Sequence, residues 1–429
     1  MTAHGTAAAP EVTAVVPTVG RSPWLAACLH ALRRQADAAT LEILVVDQAP
    51  RPLALPPGLA DRVLRPERNL GFAGGTNLGL AAARGELLAT VNDDAVVGPG
   101  WLAALTAALR GNPHAAAAQG INVLGGPGGK ETGGGGGRGG GGGHDDASEG
   151  DPAGQAEPER IDGCGLGWNR WWQAIQIGHG EPLTFIGANP APASGASELA
   201  AMQPPASELA PIPAAASDLA PGWQPDAGAV AVVEIFGVSA TAALFRRTAL
   251  EQVALGGQVF DERLVSYYED AELAGRLRSA GFGALLAPAA RARHAGSASG
   301  RTAAAGRERW RLIYGNRYLA AARLLGRGFW PRLALMVLRD LLDVAGPTAL
   351  LHVLSRRDRR QLRGESANGP GTHRGRLSGM AAGWGHALRY LPAFARMGAP
   401  APALAEVARL SRRLSSSRGE ANMQPGGCI

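Results

Sequence analysis

Two acidic motifs in this sequence have the residue types of a catalytic or metal-binding site. Asn92, Asp93 and Asp94 follow the apolar run LLATV, and Glu269 and Asp270 follow two tyrosines in the segment SYYED. A carboxylate at the edge of an apolar core destabilises it unless the charge is paired or bound to a metal. Asn and Asp are also common turn residues because they hydrogen-bond their own backbone, so an ordinary loop is the alternative for the first motif.

The second motif is predicted to begin a helix. Leu273 and Leu277 are one turn apart in AELAGRLRSAG, which indicates a helix from about Glu269 that ends before Gly281. The positive end of a helix dipole favours a carboxylate, so structural capping is the alternative to catalysis for Glu269 and Asp270.

The surrounding elements indicate an α/β fold with a mainly parallel sheet. Short apolar runs, among them VTAVV, LEILVVDQ and ELLATV, alternate with helical patterns, as in βαβ units. Asp47 ends the second strand, and the glycine-rich loop NLGFAGGTN leads into a short helix. Ligands bind outside the carboxyl ends of strands in an open parallel sheet, so we expect Asp47, this loop, NDD and YYED to share one cleft.

Composition limits the classes of partner and cofactor. The chain has 429 residues and a formal charge of +6, and Lys130 is the only lysine among 42 basic residues. The basic balance favours anionic partners such as nucleotides or a lipid surface, but it is not evidence of nucleic-acid binding. The three cysteines are widely spaced and form no CxxC pair, so neither a disulfide framework nor a zinc site is supported.

Two compositionally biased segments, about 122–158 and 186–227, are predicted to be flexible insertions. The first is glycine-rich, and the second repeats ASELA-type units between Pro/Ala runs. The segment between them contains Trp168, Trp171 and Trp172, which form either a packed cluster or a platform for an acceptor.

The C-terminal part, residues 307–429, is predicted to be a helical extension with a disordered tail. Charged residues interrupt its apolar runs, which indicates amphipathic helices rather than a spanning helix. These helices either pack on the catalytic domain or lie on an anionic membrane surface. No signal peptide and no apolar run of about 18 residues is recognised, so a cytoplasmic location is expected, with the inner face of the cytoplasmic membrane as an alternative.

The ordered set of motifs resembles the family 2 glycosyltransferases of the GT-A fold, closest to their rhamnosyltransferase-like branch. The resemblance rests on VTAVVPTVGR, LEILVVDQAP, NLGFAGGTNLGL, LLATVNDDAVVGPGWL, FGVSATAALFRRTAL, FDERLVSYYEDAELAGRLRSAGF and ARHAGS. It covers roughly residues 10–120 and 160–300, and it implies a GT-A domain over residues 10–306.

The resemblance also implies a role for individual residues. NDD takes the place of the family's D-x-D motif, so Asp94 would coordinate Mg²⁺ or Mn²⁺, and His294 is either a further metal or diphosphate contact or a structural residue. Asp270 would be the catalytic base, with Glu269 sharing or orienting it. The residues implied at the donor are Pro17, Thr18, Asp47, Asn69, Gly71, Gly74, Asn77, Asn92 and Asp93.

The function implied is inverting transfer of a sugar, rhamnose at the level of the family, from a nucleotide-diphosphate sugar. The acceptor would be a saccharide or a lipid-linked molecule of bacterial surface polysaccharide. Two alternatives are a catalytically silent binding module of the same fold and a dinucleotide-dependent oxidoreductase. The retention of both NDD and YYED disfavours the first, and the absence of a G-x-G-x-x-G fingerprint disfavours the second.

Overall fold

The computed structural model describes residues 9–35, 41–125, 159–169, 171–183, 232–296, 303–354 and 373–396. The strands are β1 Val12–Thr18, β2 Leu41–Asp47, β3 Arg62–Leu64, β4 Leu87–Val91, β5 Ala95–Val97, β6 Ala115–Leu124, β7 Ile161–Gly163, β8 Leu166–Trp168, β9 Ala174–Gln176, β10 Val233–Ile235, β11 Ala242–Arg246 and β12 Gly283–His294. The α-helices are α1 Leu25–Arg33, α2 Gly71–Ala82, α3 Trp101–Arg110, α4 Arg247–Val253, α5 Glu269–Ser279, α6 Ala303–Leu325, α7 Trp330–Leu354 and α8 His373–Arg396.

The main sheet has the order β10-β12-β6-β11-β4-β1-β2-β3. The strands β3, β2, β1 and β4 are mutually parallel, and so are β6 and β12, whereas β11 is antiparallel to both of its neighbours. The central strands are almost wholly buried, as expected for a sheet that helices cover on both faces. The predicted fold class, a mainly parallel sheet flanked by helices with a helical C-terminal region, is confirmed.

The predicted glycine-rich loop is in fact the first turns of α2, which begins at Gly71. The glycines allow this helix to lie very close to the sheet, since a Cβ at Gly79 would come within 2.2 Å of the Val15 side chain. A Cβ at Gly75 would come within 2.4 Å of the Gln48 amide. The low side-chain volume therefore serves packing of the helix and not the formation of a loop.

Strands β7 to β9 form a small unit on the edge of the main sheet, which we call the β7–β9 unit. It is joined to β6 by antiparallel pairing of Asn122 with Gly163. Its two ends lie side by side, because Leu183 N donates to Glu159 O at 2.8 Å. The predicted insertions fall almost wholly outside the described residues, except that β6 runs to Leu124 and so includes the start of the first one.

The C-terminal helices pack on the sheet domain through α6, α7 and α8. Their common apolar core includes Phe329, Met336 and Phe394 and is continuous with Leu264 and Tyr268 of the sheet domain. Arg323 of α6 adds ion pairs, at 2.8 Å to Asp261 and 3.1 Å to Glu272. None of the described helices is both long enough and apolar enough to cross a membrane.

Candidate active site

Polar residues from the ends of β1 and β4 meet at one edge of the sheet. Asn92 to Asp94 follow β4 directly, and Thr18 ends the parallel neighbour β1. The Thr18 hydroxyl donates to Asp93 Oδ2 at 2.5 Å. Burial raises the pKa of Asp93 to about 6, although the Thr18 hydrogen bond opposes this rise. Asn92 is anchored by its backbone, through Asn92 N donating to Thr241 O at 2.8 Å.

His294 lies between two carboxylates beside this edge. It ends β12, and its pairing with Ala95 of β5 places it against the NDD motif. Its Nε2 is 3.2 Å from Asp94 Oδ1, and its Nδ1 is 2.9 Å from Asp162 Oδ2. The two carboxylates raise the pKa of His294 to about 10, against the opposing effect of burial.

Asp162 is a site residue that the sequence patterns did not identify. It lies in β7, 132 positions from His294 along the chain, and no motif marks it. Its carboxylate accepts a hydrogen bond from Nδ1–H of His294, which leaves Nε2 directed at Asp94. Carboxylate–histidine pairs of this kind orient histidines that bind metals.

The residues around Asp94 can supply part of the coordination shell of a divalent cation, and other ligands would complete it. Asp94 offers carboxylate oxygens and His294 offers Nε2, within 3.2 Å of each other. The buried side-chain oxygen of Asn92, Oδ1, has no hydrogen-bond partner within the described part of the chain. Among the described residues no group of three or more His, Cys, Asp or Glu side chains is arranged to hold a metal. Mg²⁺ sites commonly use one or two carboxylates plus phosphate oxygens and water, so a set this small is adequate.

Glu269 and Asp270 begin α5, as the sequence predicts, and they adjoin the NDD motif through β11. Asp270 Oδ2 accepts a hydrogen bond from Ala240 N at 3.4 Å, and Oδ1 accepts one from Ala271 N at 2.8 Å. Ala240 lies two residues before the start of β11, whose first residue, Ala242, pairs with Val91 at the end of β4. The two acidic motifs therefore lie at the same edge of the sheet.

Burial raises the pKa of both carboxyl groups in this pair. The pKa of Asp270 rises despite the hydrogen bonds that favour its ionised form. Burial and the neighbouring charge of Asp270 raise the pKa of Glu269 well above its usual value. One oxygen of Glu269, Oε2, is buried and has no hydrogen-bond partner among the residues that the structure describes. The geometry suits Asp270, the more accessible of the two, as the base.

The turn before Glu269 has a strained backbone. Val265, Tyr267 and Tyr268 have φ angles of 63°, 67° and 70°, a region that residues other than glycine rarely adopt. Each such residue costs about 1–3 kcal/mol and persists only where surrounding contacts hold it. The turn also contacts α2, because Ala73 N donates to Val265 O at 2.9 Å. Strain of this kind is common at active sites.

A cavity of about 460 Å³ opens beside the ends of β1 and β2. Its lining is basic and includes Arg21, Arg65 and Arg68, which suits a ligand with phosphate groups. Its residues are Val19, Arg21, Gln48, Ala49, Pro50, Arg65, Pro66, Glu67, Arg68 and Asn69. Of the predicted donor residues, Asn69 lines this cavity, Thr18 and Asp47 directly precede the lining residues Val19 and Gln48, and Pro17 precedes Thr18.

Asp47 and Asn77 are buried and engaged inside the protein. Asp47 accepts hydrogen bonds from Ala49 N, Leu53 N and the guanidinium of Arg65, the last at 2.6 Å. The amide of Asn77 exchanges hydrogen bonds with the backbone of Phe260 and also donates to Glu262. Asp47 thus positions Arg65, and Asn77 joins α2 to the segment before the strained turn. Their direct contact with a donor stays a prediction.

The other predicted donor residues shape the start of α2. Asn69 Oδ1 accepts from Gly71 N at 2.8 Å, and Gly71 has φ +75°. A Cβ at Gly71 would lie 2.6 Å from the Val265 side chain, and one at Gly74 would lie 2.8 Å from Leu70 Cβ. Glycine at position 71 therefore allows the start of α2 to contact Val265 in the strained turn.

Two tryptophans of the tryptophan-rich segment, Trp168 and Trp172, pack against the core that includes the C-terminal helices. Trp168 is buried, and its ring centroid is 6.3 Å from that of Tyr268. Trp172 is partly buried against the C-terminal core, with the Arg332 guanidinium 5.5 Å from its ring. The arrangement favours the packed cluster over the acceptor platform.

Comparison with known proteins gives the following similarities. Residues 13–133 match the family model described as glycosyl transferase family 2. No curated protein sequence matches the chain. Similar solved structures include the mannosyltransferase PcManGT from Pyrobaculum calidifontis in complex with GDP-Man and Mn²⁺, at 16% identity and TM-score 0.38, covering 95% of this chain and 86% of that one.

Two further structures are less completely covered. S. aureus TarS 1-349 is 13% identical with a TM-score of 0.33, over 75% of this chain and 72% of that one. GalNAc-T7 with UDP, GalNAc and Mn²⁺ is 13% identical with a TM-score of 0.38, over 67% of this chain and only 44% of that one. At these scores the structural similarities say nothing about the activity of this chain. The match confirms the predicted resemblance to the family 2 glycosyltransferases for residues 13–133, and the mainly parallel sheet flanked by helices is the predicted fold class.

Proposed function

We propose that this chain is an inverting, metal-assisted glycosyltransferase that uses a nucleotide-diphosphate sugar as donor. The observation that carries the proposal is the meeting of two acidic groups at one sheet edge, with Asp94 beside His294 and Asp270 beside Ala240. The basic cavity next to Thr18 supports binding of the nucleotide. Rhamnose is the sugar and a saccharide or lipid-linked molecule of bacterial surface polysaccharide is the acceptor that we propose.

In this proposal Asp94 and His294 Nε2 would hold a divalent cation, Mg²⁺ or Mn²⁺, against the donor diphosphate, with the Nε2 proton of His294 released when the cation binds. The cation, when bound, supplies a Lewis acid that offsets the charge developing on the leaving group. Asp162 orients His294 by accepting its Nδ1 proton in a hydrogen bond. Arg65, fixed by Asp47, and the neighbouring arginines of the cavity place positive charge near the nucleotide.

Asp270 accepts the proton of the acceptor hydroxyl as that oxygen attacks the anomeric carbon. The bond from the anomeric carbon to the diphosphate oxygen breaks in the same step, and its electron pair leaves with the nucleotide diphosphate. One direct displacement inverts the configuration at that carbon. A base works best when its pKa is near the working pH, and burial of Asp270 moves its pKa in that direction.

A donor screen tests this function. Nucleotide-diphosphate sugars and NAD are added separately, with and without Mn²⁺, and the melting temperature is followed, because a ligand that binds only the folded state raises it. We expect stabilisation by one family of nucleotide sugars that increases with Mn²⁺, and transfer of that sugar to an acceptor. Stabilisation by NAD alone would support the oxidoreductase, and donor binding without transfer to any acceptor tested would support the silent module.

We further propose a peripheral contact of α7 and α8 with an anionic lipid surface, which would bring the site to a lipid-linked acceptor. Trp330, Leu335 and Leu338 of α7 are each more than half exposed, and Leu388 of α8 is 70% exposed. Among the described side chains of these two helices the only carboxylate is Asp340, which is buried. Their remaining charged side chains are arginines, and the sequence continues after α7 as SRRDRRQLR. Apolar faces bordered by arginine favour anionic interfaces.

Substitution of Leu335 or Leu338 by Glu is expected to weaken binding to vesicles of phosphatidylglycerol and phosphatidylcholine by about tenfold or more, because the burial of a leucine is lost. Co-sedimentation measures this binding. Val63→Glu is the matched control. Val63 is similarly exposed, but it lies in β3, an edge strand of the main sheet, and not in α7 or α8. Equal binding by all variants, or no dependence on the anionic lipid, would contradict the proposed contact.

A further inference from the structure

A side chain of the C-terminal extension, Asn316 of α6, holds the backbone of the strained turn before Glu269. Asn316 of α6 is fully buried. Its amide nitrogen lies 2.6 Å from Leu264 O, 2.8 Å from Ser266 O and 2.8 Å from Tyr267 O. Because all three neighbours are carbonyl oxygens, the amide can only be oriented with its NH₂ group toward them.

These contacts complete the hydrogen bonding of the turn. The remaining carbonyl, Val265 O, accepts from Ala73 N in α2, and Tyr268 O accepts from Glu272 N in α5. The turn is thus held on one side by the first turn of α2, which begins at Gly71, and on the other by Asn316. Backbone carbonyls buried without partners would be costly, so this set of contacts keeps three residues at positive φ.

The turn is continuous with the acidic pair. Tyr268 is the residue that caps α5, and Glu269 and Asp270 follow it directly. Any relaxation of Val265, Tyr267 or Tyr268 toward ordinary φ angles would rotate the start of α5 and move the Asp270 carboxylate away from Ala240. Placement errors of about 1 Å can reduce the rate of a positioned reaction by about 10²-fold.

We infer that Asn316 is a positioning residue for Asp270, so that α6 of the C-terminal extension helps to hold the acidic pair in place. The inference rests on the proposed function for its kinetic consequence. Its structural consequence, order in the turn, is independent of that function. Asn316 touches neither a reacting atom nor the basic cavity, so its effect is on turnover and not on binding of the donor.

The test compares Asn316→Ala with Met380→Ala in the full chain. Met380 is buried on α8 against Tyr314, so its truncation weakens the same extension without touching the turn. We expect Asn316→Ala to lower kcat by about 10²-fold with little change in KM for the donor. Met380→Ala should leave kcat near the wild-type value at a comparable loss of melting temperature.

Hydrogen exchange of a peptide covering residues 262–272, measured without substrate, is the second readout. It should accelerate in Asn316→Ala and not in Met380→Ala. If Asn316→Ala does not fold, Asn316→Ser, which keeps one hydroxyl donor, should show smaller changes in the same direction. Equal kcat loss and equal exchange in the Asn316 and Met380 variants would overturn the inference. A wild-type chain without transferase activity, but with the expected exchange pattern, would instead refute only the proposed function.

Discussion

Replacement of Asp270 by Asn is expected to lower turnover by about 10² to 10⁴-fold while the affinity for the donor changes little. Asn has the shape of Asp and keeps an oxygen for the hydrogen bond from Ala271 N, but it cannot take a proton from an acceptor hydroxyl. The wild-type rate should also rise with pH as Asp270 ionises, above the usual range for aspartate because burial raises the pKa. Steady-state kinetics across pH would show this limb, and its loss in the variant.

Glu269→Gln is the internal control for that prediction. Burial and the charge of Asp270 raise the pKa of Glu269 well above its usual value and so favour its protonated form, and a protonated carboxyl group resembles a carboxamide. The substitution should therefore have a small effect. If Asp270 served only to accept hydrogen bonds at the start of α5, Asp270→Asn would be nearly silent, because Asn keeps an acceptor oxygen for Ala271 N. A larger loss in Glu269→Gln than in Asp270→Asn would transfer the role of base to Glu269.

Replacement of Asp94 by Ala is expected to abolish metal-dependent binding of the donor and to leave the fold intact. The variant loses the carboxylate that faces His294 Nε2, and it removes no large apolar side chain from the core. Asp162→Asn should act less strongly, with metal affinity about 10–100-fold weaker, because it only disturbs the orientation of His294. Calorimetric titration with Mn²⁺ and with the donor measures both effects, and circular dichroism checks the fold.

Asp61→Asn is the matched control for the metal prediction. Asp61 is a partly exposed carboxylate that pairs with Arg33 at 2.8 Å on another part of the surface. Its loss should leave Mn²⁺ affinity and donor affinity unchanged. Donor binding that is insensitive to both Asp94→Ala and a chelator would show that the NDD motif has no metal role.

Local sequence patterns were sufficient where one element determines the position of a residue. The apolar run before Asn92 predicts β4, and the leucine spacing after Asp270 predicts α5, which begins at Glu269 as expected. Each motif lies next to a predicted strand or helix. Ligand-binding residues of an open parallel sheet gather at the carboxyl ends of its strands, so the meeting of the two motifs at one sheet edge could be anticipated.

Local sequence patterns did not predict the features that depend on contacts between segments far apart in the sequence. The glycines after Asn69 indicated a loop, yet close packing on Val15 and Gln48 requires them inside a helix. Val265 has a β-branched side chain, which gives no sign of a positive φ angle, because only the contacts of α2 and Asn316 impose it. Asp162 was missed because its partner His294 is reached through tertiary pairing alone.

The hydrogen bond between Glu159 and Leu183, which closes the base of the β7–β9 unit, has an evolutionary consequence. Glu159 and Leu183 are joined at the point where the described part of this unit begins and ends, so the register of β7 is set inside the unit. Each added residue in a segment attached to such a base changes the entropy of closure only slightly. Repeat expansion in the gene, of the kind seen in ASELA, ASELAP and ASDLAP, can therefore accumulate in the sequence after Leu183 while selection on the orientation of His294 by Asp162 continues unchanged.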